Sequence, residues 1–352
     1  MGKWEQLSPR QRRRKRKAII RQSLLVVCAL LVLGGAGLGI WGLTAGKQQQ
    51  EPPAAPPEDL QAIAPQLPQP EPQPEPELEP QPVVGIAADG QDMAVLSGEV
   101  GSEYAVFIDA DTNTVLAEKG GNAAVYPASM TKVLTLLVAS QNIDDPSGEF
   151  TVTQELIDPH YRRGATITGY RAGDVCTLLD LFYGAALRSS ADATSGLAIA
   201  AGGTEEAFIA MMNEACGTLE LSDHAFFTNT SGLFDRNHTC SLLDMAAIMR
   251  AAMDDELCAR VMSTVRYVTA PTEDAPEGLT FENKYLRWFQ EKQPEGATVL
   301  ACKNGYVQQA QNCLVSYGVN EVGEHFICVT AKGHNAETMM GDQRYLYSTF
   351  GK

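Results

Sequence analysis

The sequence predicts an α/β domain in which an antiparallel sheet is assembled from both ends of the domain, with a helical region inserted between them. Three observations lead there. Period-two alternation appears at residues 104–118 and returns at 298–331, and the stretch between carries mostly helical spacing of apolar residues. The chain has 352 residues, 44% hydrophobic and 20% charged, enough apolar material for a large core and too much for wholesale disorder. Loops joining the last three strands are short, which requires antiparallel pairing.

Taken in order, residues 1–47 hold ten Lys/Arg against one acid, net +9, whereas the rest of the chain is net −25. An overall charge of −16 argues against a nucleic-acid partner, which needs a basic footprint. Topology explains the asymmetry. Residues 1–23 contain the run R-Q-R-R-R-K-R-K, and residues 24–43 follow without a charge. Roughly 20 apolar residues span a bilayer core of about 30 Å, and the basic flank keeps the N-terminus cytoplasmic. A cleavable signal peptide has the same basic start, but its apolar stretch is shorter and ends in an A-x-A-like site. The expectation is a single-pass anchor in the cell membrane with the remaining chain extracellular. Residues 44–84 contain twelve of the nineteen prolines, among Glu and Gln, and read as a solvated spacer.

Residues 85–352 form the expected globular domain. Residues 104–109 and 113–118 make a hairpin around Asp109-Ala110-Asp111. Helices are expected at 129–140, 178–187, 192–201, 205–218, 242–253 and 336–347, with strands at 298–303, 312–318 and 325–331. Seven cysteines lie beyond residue 43 without a C-x-x-C spacing, so neither a disulfide framework nor a zinc ribbon is indicated. Cys302 and Cys313 could face each other across one hairpin, a weak disulfide candidate. His160, His224, His238, His325 and His334 are scattered without ligand spacing. No metal or cofactor is expected.

The informative stretch is Y-P-A-S-M-T-K, Tyr126 to Lys132, running into an apolar helix. Pro127 suits a first helical turn, and Ser129 and Lys132 then share one face as i,i+3 neighbours. A serine hydroxyl needs a base, and a lysine serves only if burial or another cation lowers its pKa. The helix start also offers backbone N–H groups to an oxyanion. Two fixed letters are weak evidence, since a helix-start serine beside a solvated lysine reads the same. Ser189 falls at the break between two helices, where an N-cap role for Ser189 or Ser190 competes. Lys303-Asn304-Gly305-Tyr306 ends a strand, where an edge-strand gatekeeper competes.

In order, these three sites resemble the S-x-x-K, S-x-N and K-T-G elements of the serine D-alanyl-D-alanine carboxypeptidases, the low-molecular-mass penicillin-binding proteins of peptidase family S11. The likeness extends over about residues 100–350, through T-L-L-D-L-F-Y-G-A-A-L, Phe226 to Ser241 and Ala301 to Val315. It implies a DD-peptidase/β-lactamase-like fold. Residue by residue it implies Ser129 as acylated nucleophile and Lys132 as general base. Ser189 becomes the proton relay, and Lys303, with Asn304, Gly305 and Tyr306, binds the substrate carboxylate. The oxyanion hole would be the N–H groups of Ser129 and Tyr306. The implied substrate is a peptidoglycan stem peptide, with β-lactams as inhibitors.

The chain departs from the family pattern at Ala191, where S-x-N has Asn, and at Asn304, where K-T-G has Thr; Val307 and Gln311 also depart. Loss of one polar partner from a buried network costs about 1–3 kcal/mol, so a slow enzyme is expected, with a penicillin- or muropeptide-binding receptor as the alternative. A β-lactamase needs a carboxylate that activates water. No E-x-x-L-N lies between Ser189 and Lys303, and Glu205 and Glu206 read as surface acids in a first helical turn. The resemblance ends at the last helix, without the further β domain of many relatives, and the N-terminal anchor is expected to supply attachment.

Overall fold

The computed structural model describes residues 93–352. The basic segment 1–23, the apolar segment 24–43 and the Pro-rich stretch 44–84 lie outside the described residues. Among those described, no helix is long and apolar enough to cross a membrane.

Strands β1 (Ala94–Val95), β2 (Tyr104–Asp109) and β3 (Thr114–Lys119) open the domain. The β2–β3 turn is set by Asp109, whose Oδ1 accepts from the N–H groups of Asp111 and Thr112, both at 2.9 Å. A 3₁₀ turn, Ala128–Thr131, leads into α1 (Lys132–Asn142). Then come β4 (Glu149–Thr151), α2 (Gln154–Arg162), β5 (Val175–Thr177), α3 (Leu178–Leu187), α4 (Ala191–Gly202) and α5 (Glu205–Thr218). Next are α6 (Leu242–Asp254), α7 (Glu256–Met262), β6 (Arg266–Val268), β7 (Thr280–Glu282) and α8 (Lys284–Glu291). The chain closes with β8 (Ala297–Val307), β9 (Gln311–Asn320), β10 (His325–Gly333) and α9 (Ala336–Phe350).

The main sheet has the order β1-β3-β2-β10-β9-β8, so the two ends of the described domain meet where β2 pairs antiparallel with β10. The β-period sorts side chains between two cores. Val106, Ile108, Val315 and Val329 face the inserted helices, where α1 is buried along nearly its whole length. Phe107, Leu314, Phe326 and Cys328 face α8 and α9. Gln343 of α9 is buried but satisfied: its Nε2 donates to the carbonyls of Leu314 and Cys328, and its Oε1 accepts from Ser316.

That sorting corrects one expectation. Cys302 pairs with Ser316 and Cys313 with Gly305, three positions out of step and on opposite sides of the sheet. No disulfide can join them, and all seven described cysteines are free and buried. Burial pushes the Cys302 thiol up to about 12 and Cys313 up to about 11. The chain also forms elements beyond those expected: α2, α7, α8 and five strands of two or three residues. Pro159 sits inside α2, and the short strands offer no period to read.

Candidate active site

Strain marks the turn that carries Ser129. Ala128, just before Ser129, has φ 46°, a left-handed conformation that costs a non-glycine residue of order 1–3 kcal/mol. The α-helix begins only at Lys132, so the expected helix over 129–140 starts as a 3₁₀ turn with Pro127 at its N-cap. In a 3₁₀ turn residues i and i+3 eclipse, which aligns Ser129 with Lys132. Lys132 Nζ lies 3.0 Å from Ser129 Oγ and 2.5 Å from the Ser231 carbonyl oxygen.

Lys132 is 2% exposed and its pKa is held well below the ordinary lysine value. Desolvation is the largest cause, the Lys303 ammonium adds repulsion, and Asp192 opposes both. Asp192 is itself buried, which raises its pKa, although Thr168 and the Ala193 N–H donate to its carboxylate.

Ser189 occupies the break between α3 and α4 with φ 62°, a second left-handed residue at the site. Ser190, not Ser189, is the N-cap of α4, and it makes no side-chain cap bond. Lys303 Nζ donates to Ser189 Oγ at 3.0 Å and to the Asn304 carbonyl at 2.9 Å. It is 1% exposed, and burial lowers its pKa to about 8.

A cleft of about 820 Å³ gathers these groups. Ser129, Lys132, Ser189, Asn304 and Tyr306 line it, together with Ala191; Lys303 stands behind Ser189 rather than on the wall, and Gly305 is buried. A Cβ at Gly305 would lie 2.9 Å from Ser129 N and 2.8 Å from the Pro127 carbonyl, so only glycine lets β8 come this close to the turn that carries Ser129. Gln311, where the family pattern has Gly, has φ 54°, a conformation glycine adopts without strain.

Sequence reasoning included Phe226 to Ser241 in the likeness but gave no site role to the loop 228–233, whose Ser231, Gly232 and Leu233 line the cleft. Asn229 Oδ1 accepts from the N–H groups of Ser231, Gly232 and Leu233, folding the chain around one side chain. Thr228 N–H donates to His238 Nδ1 at 3.0 Å, so the other ring nitrogen carries the proton and donates to Thr131 Oγ1 at 2.7 Å. Burial lowers the His238 pKa to about 4, which keeps that tautomer neutral. The phrase T-N-T-S-G held the signal, since an Asn side chain that accepts from N–H groups two and three residues on, with a Gly for the positive φ, marks such a turn. Gly232 has φ 78°, and a Cβ there would sit 1.8 Å from the Ala128 carbonyl. Gly232→Ala is expected to cost about 3 kcal/mol or more, lowering the melting temperature by about 6–12 °C in a thermal scan.

Glu205 also corrects an expectation. It begins α5, but it is half-buried, and its two carboxylate oxygens accept from Ser195 at 2.9 Å and Thr230 at 3.0 Å. It lines a neighbouring cavity, not the cleft that holds Ser129.

Fold and site together define a class: a serine set against a buried lysine, at the junction of a two-ended sheet and its inserted helices. Within it, the chain belongs to the D-alanyl-D-alanine carboxypeptidase family, peptidase S11, whose sequence model matches residues 91–334. It is 27% identical over 228 residues to the D-alanyl-D-alanine carboxypeptidase DacF of Bacillus subtilis, covering 65% of this chain and 56% of DacF. It is 33% identical over 213 residues to DacB2 of Mycobacterium tuberculosis, covering 60% of this chain and 68% of DacB2. The crystal structure of the Streptomyces K15 DD-transpeptidase superposes with a TM-score of 0.66 at 21% identity, over 73% of this chain and all of that one. At that identity the likeness carries the fold, which is DD-peptidase-like as the sequence predicts.

Proposed function

We propose that the protein is a serine-type D-Ala-D-Ala carboxypeptidase acting on peptidoglycan stem peptides through an acyl-enzyme. One observation supports this above the rest: Lys132 Nζ, stripped of solvent and repelled by Lys303, sits 3.0 Å from the Ser129 hydroxyl. An amine with a lowered pKa, within hydrogen-bond reach of the proton it removes, is the arrangement a general base requires. Ser129 Oγ attacks the carbonyl carbon of the penultimate D-Ala as its proton passes to Lys132. The backbone N–H groups of Ser129 and Tyr306 receive the oxyanion. Ser189, fed by Lys303, returns a proton to the departing D-Ala amine, and water then releases the shortened peptide from Ser129. Asn304 and Ser189 face the terminal carboxylate, with the Lys303 charge behind them. β-Lactams acylate the same serine and leave slowly.

Mass-spectrometric release of D-Ala from a stem pentapeptide, with none from the tetrapeptide, tests the reading. A pH profile tests Lys303. Without its charge the Lys132 pKa rises, so in Lys303→Met the acidic limb of the acylation rate moves to higher pH. A limb that stays in place removes Lys303 from the tuning of the base.

Ala191 and Asn304 favour a second reading, a receptor that binds muropeptides or penicillins and turns over little. It predicts penicillin labelling without D-Ala release. The Ser231 carbonyl supports the enzyme, because it gives Lys132 an acceptor on a chain where Ala191 offers none. Residues 24–43 act in this reading as a single-pass membrane anchor, with the catalytic domain extracellular and 44–84 as its stalk. The length of the apolar run and its basic flank support that placement.

A further inference from the structure

We propose that Glu205 is a positioning residue of this active site: through the Thr230 hydroxyl it fixes the Ser231 carbonyl against Lys132, in place of the side-chain amide that Ala191 lacks. The proposal rests on the reading of Lys132 as the base. The Thr230 hydroxyl faces two acceptors, Thr194 Oγ1 and the Glu205 carboxylate. Thr194 Oγ1 donates its proton to the Ala191 carbonyl at 2.7 Å, so it cannot also donate to Thr230, 3.1 Å away. The Thr230 hydroxyl has one proton, and the carboxylate of Glu205 at 3.0 Å is the stronger acceptor. Ser195 donates to the other oxygen of Glu205 at 2.9 Å. His160 Nε2 then donates to Ser195 Oγ at 2.9 Å, which leaves its Nδ1 bare, and that atom has no partner.

The chain of donors therefore runs His160 to Ser195 to Glu205, with Thr230 entering from the other side. On the main chain Thr230 is pinned again, its carbonyl accepting from Thr135 Oγ1 of α1 at 2.7 Å. Thr135 lies three residues, nearly a full turn, beyond Lys132 on the same helix, so Thr230 is clamped between α1 and the start of α5. The next carbonyl in the chain, that of Ser231, is the one that meets Lys132. Glu205 touches neither the cleft nor Ser129; its influence passes through one residue.

A carbonyl acceptor favours an ammonium over an amine, so loosening Ser231 lowers the basicity of Lys132. The other charged groups acting on Lys132 are Lys303 of β8 and Asp192 of α4, and neither changes in the variants below. His160 of α2 and His238 also interact electrostatically with Lys132, and burial lowers the pKa of both.

The test uses the full chain and the rate at which a fluorescent penicillin acylates Ser129, followed from pH 5 to 10. That readout does not require D-Ala release, so failure of this proposal and failure of the carboxypeptidase reading are separable. Glu205→Ala and Thr230→Val are each expected to slow acylation about tenfold and to move its acidic limb to lower pH. The double variant matches either single one, because both break the same link. Thr230→Ser, which restores the hydroxyl, stays within about threefold of wild type. Should Glu205→Ala not fold, Glu205→Gln keeps the volume and one acceptor oxygen and moves the limb the same way by less. Two results overturn the proposal: an unmoved limb in folded variants whose melting temperature alone falls, or losses from Glu205→Ala and Thr230→Val that multiply in the double variant.

Discussion

Ser129→Ala abolishes covalent labelling by a fluorescent penicillin and lowers D-Ala release from a stem pentapeptide by about 10³-fold or more. The substitution removes a single oxygen from a half-buried position at the cleft wall, so the fold survives and the loss is chemical. Remaining turnover would come from the N–H groups of the turn and from positioning alone, which support modest acceleration without a nucleophile. Equal D-Ala release by wild type and variant, with the variant's melting temperature unchanged, would mean that Ser129 is not the acylated residue.

Lys132→Ala and Lys132→Arg are both expected to slow acylation by about 10²- to 10⁴-fold, the range ascribed to a positioned general base. Alanine removes the base. Arginine keeps a cation in the same place but holds its proton at any working pH, so it cannot accept one from Ser129. If charge rather than basicity were the contribution of Lys132, arginine would preserve most of the rate. Stopped-flow acylation at several pH values separates the two, and retention of more than a tenth of the wild-type rate in Lys132→Arg rules the base assignment out.

The long elements were legible because their periods are long. α5 spans the residues its apolar spacing marks, and β8, β9 and β10 extend the expected strands by a few residues. The sequence put Ser129, Lys132, Ser189 and Lys303 forward by residue type and order, and the structure brings them into hydrogen-bond reach as two pairs. What escaped was anything carried by the main chain. The carbonyl of Ser231 is as much a partner of Lys132 as Ser129 is, yet a carbonyl has no letter in the sequence. Glu205 escaped for a related reason, since a carboxylate in a first helical turn reads as a dipole partner until Ser195 and Thr230 are found around it. The sequence put the Lys303 ammonium at a sheet edge; the alternation of β8 turns it inward, behind Ser189.

The pairing of β2 with β10 joins Asp109 to Phe326 and so closes a segment of more than two hundred residues. Closing so long a loop must come before its contacts contribute, which makes late, slow assembly the natural order of events. Ser129 emerges early in synthesis and its partner Lys303 late, so a chain still being made carries the serine without the charge that tunes its base. If Ser129 is the nucleophile proposed above, reactivity arrives with the final strands, and a half-built molecule offers no competent serine to an acylating inhibitor.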